Sequence, residues 1–148
     1  MKTSQFLYAI YIRTTPEKLW EALTTPEILR QYFFETTQEC TWKVGAPWKM
    51  VLKDGGIADS GEVLEIDAPH KLVLRWRSEK RPELKAEGDS RMTYLVEQKD
   101  GCVKLTVNHE IEREESKLIA GVSNGWPIIL SSLKSLLETG EALAESRD

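Results

Sequence analysis

The sequence predicts an α+β fold in which a curved antiparallel sheet of about six or seven strands wraps a long C-terminal helix. Three observations carry this. From about residue 39 to 111 the hydrophobic period is two, interrupted by short turn signals. The tetrapeptide Thr-Thr-Pro-Glu occurs at 14–17 and again at 24–27, marking two helix starts after the first strand. Beyond Pro127 the apolar period becomes helical.

The elements follow in order. Residues 5–13 alternate, with Phe6, Tyr8, Ile10 and Ile12 on one face and Leu7, Ala9, Tyr11 and Arg13 on the other. Their β-branched and aromatic character suits a strand. In Thr14-Thr15-Pro16-Glu17, a threonine oxygen can take an orphan amide, proline needs no amide partner, and glutamate suits the helix dipole. Leu19, Trp20 and Leu23 form the stripe of that helix. Because Thr25 precedes a proline, the first helix must end there and a second must begin, carrying Ile28, Leu29, Tyr32 and Phe33. Strands are predicted near 39–43, 47–53, 60–67, 71–77, 90–98 and 102–110, joined by turns such as Asp54-Gly55-Gly56 and Asp100-Gly101. The charged stretch Ser78–Asp89 reads as a mobile hairpin tip. Trp126, Ile129, Leu130, Leu133, Leu136 and Leu137 share one helical face, with a start or bend at Gly125–Pro127 and a stop at Gly140. A helix of about 14 residues beyond Pro127 spans roughly 21 Å, long enough to lie across a bent sheet. Residues 145–148 are expected to fray.

A chain of 148 residues suits one domain, 1–148, that folds without disulfide or metal. The net charge of −4 argues against nucleic acid. The nearest basic cluster, Arg75, Arg77, Lys80 and Arg81, is interrupted by Glu79 and Glu83 and reads as a solvated strand end and loop. Cys40 and Cys102 match no zinc spacing, and no Gly-rich phosphate loop is present, so neither metal nor cofactor is expected. There is no apolar signal core and no run long enough to span a bilayer, which predicts a cytoplasmic protein without membrane insertion.

Several stretches together resemble a known family. They are Thr15-Pro16-Glu17-Lys18-Leu19-Trp20-Glu21-Ala22-Leu23-Thr24, then Thr25-Pro26-Glu27, Gly61-Glu62-Val63-Leu64-Glu65-Ile66, Leu72-Val73-Leu74-Arg75-Trp76, and Gly125-Trp126-Pro127-Ile128-Ile129-Leu130 with Leu133-Lys134 and Leu137-Glu138. Their order resembles the helix-grip fold of the START-like, or SRPBCC, superfamily. The nearest resemblance is to small proteins similar to the C-terminal domain of the activator of the heat-shock protein 90 ATPase. Gln31-Tyr32-Phe33-Phe34 departs from the pattern, where the family often carries a tryptophan. The resemblance implies a cavity between sheet and helix and a link to the stress response; an edge strand could pair with a second copy, so both a monomer and a homodimer are open.

For that cavity the candidate walls are Tyr8, Ile10, Trp48, Met50, Val63, Leu74, Trp76, Met92, Tyr94 and Val107 from strands, and Trp126, Ile129, Leu130 and Leu133 from the final helix. For any single one of them, a core residue is the more ordinary role. His109 shares the parity of Val103, Leu105 and Val107 and points inward, as a ligand anchor, a proton carrier or a hydrogen-bonded core histidine. No catalytic residue is assigned: Glu62 and Glu65 cannot share a strand face, and Ser131 and Ser132 have no base. Three readings result. The first is binding of a small hydrophobic molecule, lipid-, sterol- or polyketide-like. The second is a co-chaperone-like interaction module with anchors such as Tyr11 or Trp42. The third is a cyclase or hydrolase acting on a small hydrophobic substrate.

Overall fold

The computed structural model describes residues 2–143, so the predicted fraying of 145–148 lies outside the described residues. Strand β1 (Ser4–Ile12) is followed by helices α1 (Pro16–Thr24) and α2 (Pro26–Tyr32). Then come β2 (Thr37–Glu39), β3 (Pro47–Val51), β4 (Ile57–Asp67), β5 (Lys71–Ser78), the short α3 (Pro82–Lys85), β6 (Ser90–Lys99), β7 (Cys102–Ile111) and α4 (Lys117–Thr139). The seven strands form one sheet in the order β1-β7-β6-β5-β4-β3-β2, antiparallel throughout. Short turns dictate this meander; at Gly101, φ of 72° closes the β6–β7 hairpin. β1 closes the far edge by pairing with β7.

The two helix starts predicted after β1 hold. The Thr15 hydroxyl accepts from the Lys18 amide at 3.2 Å, and proline opens both α1 and α2. α4 buries Trp126, Ile129, Leu130 and Leu133 against the concave sheet and ends at Gly140, whose φ of 89° is left-handed. The interior is a cluster that also takes in Leu19, Leu23, Trp48, Leu74, Met92 and Leu105.

Three boundaries differ from the sequence reading. The strand expected at 39–43 is β2, Thr37–Glu39. Trp42 leaves the ladder at φ 57°, because its indole N–H donates to the Thr24 carbonyl at the end of α1, 3.0 Å away. β4 begins at Ile57, earlier than 60, through polar residues that mask its alternation. The final helix begins at Lys117, and Pro127 lies inside it. At 23 residues it is about 35 Å long, not 21 Å. An interior proline forfeits a hydrogen bond, and the tertiary packing of Trp126, Ile129 and Leu130 outweighs that loss.

The Ser78–Asp89 stretch is built rather than bare. Pro82 opens α3, and Leu84 packs against Ile111, Leu118 and Ile119. Glu87 accepts from the Ser116 hydroxyl and from the Lys117 amide at 2.7 Å. That carboxylate satisfies orphan amides at the positive end of the α4 dipole. The loop is thereby tied to the start of the long helix.

Candidate functional site

The site grows out of an aromatic cluster around Trp126. Its ring meets Phe33 at 5.7 Å, Tyr94 at 5.9 Å and Trp76 at 6.0 Å, all close to edge-to-face. Trp76 in turn lies 4.6 Å from Trp48. Beneath them His109 is fully buried. The Trp126 indole N–H donates to His109 Nδ1 at 3.2 Å, which leaves the ring proton on Nε2. Nε2–H donates to Ser90 Oγ at 2.9 Å, and that hydroxyl donates to the Trp76 carbonyl at 2.9 Å. Burial lowers the histidine pKa to about 3. Both ring nitrogens are used inside the protein, and His109 joins β7, β6, β5 and α4 through one chain of hydrogen bonds.

The predicted walls come together, and most of them meet one another. Trp48, Met50, Leu74, Met92 and Tyr94, with Trp76, surround a void of only about 10 Å³, room for about one water molecule at most. Val63, Val107, Ile129, Leu130 and Leu133 are buried in the same cluster, and Tyr8 and Ile10 pack half-buried on its edge.

Open volume lies to one side. A cleft of about 420 Å³ runs between the end of α2, the start of β4, the end of β5, the α3 segment and the N-terminal half of α4. Of the predicted walls, Trp76 and Trp126 line it. Phe33, Phe34, Ala58, Leu84, Leu118 and Val122 complete an apolar surface. Phe34 is held there at φ 52°, a left-handed conformation that side chains seldom adopt. The polar lining is Asp59, Ser78, Lys80 and Arg81. A larger recess of about 590 Å³ on the sheet is lined chiefly by polar and charged residues, among them Asp89, Arg91, Glu110 and Glu112, and has no aromatic wall.

Gly121 and Gly125 form the α4 side of the cleft, and a Cβ at either would meet nothing within 4 Å. A glycine inside a helix costs about 1 kcal/mol relative to alanine. Packing does not demand these two, and their effect is to keep the cleft open. Their spacing of one helical turn was a readable signal that went unused because α4 was expected to start later.

Asp59 was also missed. It shares the inward parity of Gly61 and Val63, opposite Ser78. Its Oδ1 accepts from the Trp76 indole N–H at 3.0 Å. Burial raises its pKa to about 6 against the lowering effect of that bond, and Glu79 adds to the rise. The linkage sign is therefore that of an acid with a raised folded pKa. Its favourable contribution is complete below about 3.8 and is lost as pH climbs through about 6. Asp59→Asn, which keeps the acceptor, is expected to stabilise the fold by on the order of 2 kcal/mol at pH 8. The gain should shrink towards zero below pH 4. Urea unfolding at both pH values checks this; an unchanged gain at low pH would contradict it.

Among the described residues, no group of three or more His, Cys, Asp or Glu side chains could hold a metal ion. No helix there is long and apolar enough to cross a membrane.

A seven-stranded antiparallel sheet gripping a long C-terminal helix, with two short helices after β1, defines a helix-grip protein of the START-like, SRPBCC class. Residues 13–138 match the model of the family described as Activator of Hsp90 ATPase homolog 1-like protein, and the chain belongs to that family. Solved structures agree on the fold. The Aha1 dimer of Colwellia psychrerythraea is similar at 20% identity and TM-score 0.75, over 94% of this chain and 99% of that one. An Hsp90 activator of Plasmodium falciparum, PFC0360w, is 25% identical with TM-score 0.65, over 82% of this chain and 86% of that one. DynU16, a putative protein in the dynemicin biosynthetic locus, is 20% identical with TM-score 0.77, over 97% of this chain and 49% of its own. Among curated proteins, none matches the chain.

Proposed function

We propose that this protein captures a small hydrophobic molecule in the cleft between α4, α3 and the β4–β5 end of the sheet. The observation that carries the reading is the apolar cleft of about 420 Å³, kept free by two glycines on the gripping helix. That volume falls within the roughly 300–1,000 Å³ typical of small-molecule sites. The driving force is removal of apolar ligand surface from water. His109, Tyr94 and the other buried wall residues then support the site from behind, while Trp76 and Trp126 touch the ligand. The similarity to DynU16, from a biosynthetic locus, is in keeping with such a role.

Titration with the neutral dye phenylnaphthylamine tests this, read by dye emission and by energy transfer from the lining tryptophans. Saturable one-to-one binding is expected. Gly121→Leu and Gly125→Leu should each weaken it by about tenfold or more by filling the cleft. Neither should lower the melting temperature, since leucine favours a helix more than glycine does. Affinity unchanged in both variants would remove the cleft as the site.

A second reading, a chaperone-linked interaction module acting as monomer or homodimer, is favoured by the family and by the Hsp90 activator and dimer among its structural neighbours. Leu7 and Tyr11, exposed at 62% and 52% on the outer face of the edge strand β1, would be its contact residues. Loss of chaperone co-elution in Tyr11→Ala, with dye binding intact, would single out that role.

A further inference from the structure

We propose that the occupant of the cleft is an amphipathic organic anion, its apolar body against Trp76, Trp126, Phe33 and Val122 and its acidic group at Lys80 and Arg81. This rests on the cleft being the ligand site and adds the chemical class of the ligand.

The argument is one of charge placement. The chain carries a net charge of −4, so a cationic mouth is not a consequence of composition. The basic cluster of the sequence is split by the fold. Arg75 pairs with Glu62 at 3.0 Å and Asp89 at 3.4 Å. Arg77 lies 3.9 Å from Glu79, and Lys85 pairs with the same Glu79 at 2.9 Å. Glu62, Asp89 and Glu79 are thus already engaged by Arg75, Arg77 and Lys85. Lys80 and Arg81, the two basic residues that line the cleft, form no ion pair among the described residues. Both sit at the junction of β5 and α3, where Leu84 and Glu87 fasten the segment to α4. The two cations are therefore carried on an anchored segment beside an apolar wall.

A carboxylate, sulfonate or phosphate on the ligand would supply the missing counter-charge, and its apolar body would displace water from the tryptophans. Asp59, the only acid among the described residues lining the cleft, faces inward and is held by the Trp76 indole, away from the role of partner to either cation. A purely neutral ligand would leave two cations bordering the cleft without use. A peptide-sized partner would not fit the volume.

The test pairs two dyes with the same ring system, anionic anilinonaphthalene sulfonate and neutral phenylnaphthylamine, titrated against the full chain at low ionic strength. The sulfonate is expected to bind about tenfold more tightly, with the advantage shrinking as salt is added. In the Lys80→Gln/Arg81→Gln double variant, the two affinities should converge by weakening of the sulfonate alone. Gly125→Leu should weaken both dyes, which separates cleft binding from adsorption elsewhere. Equal affinities in the parent chain, or a sulfonate preference that survives the double variant, would overturn the anion assignment and leave the cleft reading standing. Failure to hold either dye, or binding indifferent to Gly125→Leu, would overturn the cleft reading and the anion assignment with it.

Discussion

Acidification from pH 7 to pH 5 is expected to remove about 2 kcal/mol of stability through His109 alone. The ring is buried and neutral, and its pKa falls from 6.5 to about 3. For a base with a lowered folded pKa, the contribution is complete above 6.5 and is lost progressively as pH drops towards 3. Carried to the end, the loss is on the order of 4 kcal/mol, a large share of the roughly 5–15 kcal/mol that holds a domain together. The structural cause is specific. Nδ1 accepts the Trp126 indole proton, so an imidazolium would set N–H against N–H at a fully buried site. Asp59 works in the opposite sense over part of this range, gaining stability as pH falls below about 6. The measurement therefore belongs in an Asp59→Asn background. His109→Gln offers a carbonyl to Trp126 and an amide to Ser90 without titrating. Urea unfolding should show the histidine form losing about 2 kcal/mol more than the glutamine form between pH 7 and 5. Parallel losses would mean that His109 does not carry the acid sensitivity.

That histidine shows how far the sequence could be read. Strand parity placed His109 inward, because alternation with Val103, Leu105 and Val107 is a local property of β7. Its partners were not legible, since Trp126 and Ser90 reach it only through the curvature of the sheet and the line taken by α4. The elements that failed share a cause. Trp42, the beginning of β4 and the first half of α4 depart from simple periodicity because tertiary contacts outweigh local preference. Pro127 hid the early part of the helix, and with it Gly121, Val122 and Leu118, which line the cleft. Charge hid the rest. Lys80 and Arg81 lie in a stretch whose composition resembles a solvated loop, and only the burial of Leu84 and the docking of Glu87 show that the stretch is fixed. The periodic apolar positions located the core; the cleft lies where that pattern is interrupted by glycine and charge.

Gly61→Ala is expected to destabilise the fold by about 3 kcal/mol or more, against no loss for alanine at Gly125. Backbone conformation is not the reason, because Gly61 is not among the positive-φ positions. The reason is proximity. A Cβ at 61 would fall 1.6 Å from the Arg75 carbonyl oxygen and 2.7 Å from its carbon, both backbone atoms of the adjoining strand. A backbone carbonyl in a sheet ladder cannot rotate aside as a flexible side chain can, so β4 and β5 would have to separate. Across the sheet, Gly61 stands between Trp48 and Trp76, its register partners on β3 and β5. Those two indoles lie 4.6 Å apart, so a separation of the strands would pull on their contact. Alanine would therefore disturb the ladder and the aromatic contact together, and with them the Trp76 bond to Asp59 at the cleft wall. Urea unfolding reads the first effect and dye titration the second; a Gly61→Ala protein within 1 kcal/mol of the parent would show that the strands yield more easily than the geometry implies. The contrast with Gly125 separates two uses of the same residue. At Gly61 the absent side chain permits contact between strands, and at Gly121 and Gly125 it preserves space for a guest. Alanine should therefore be costly in stability at 61, and at 125 its expected effect is on the ligand site.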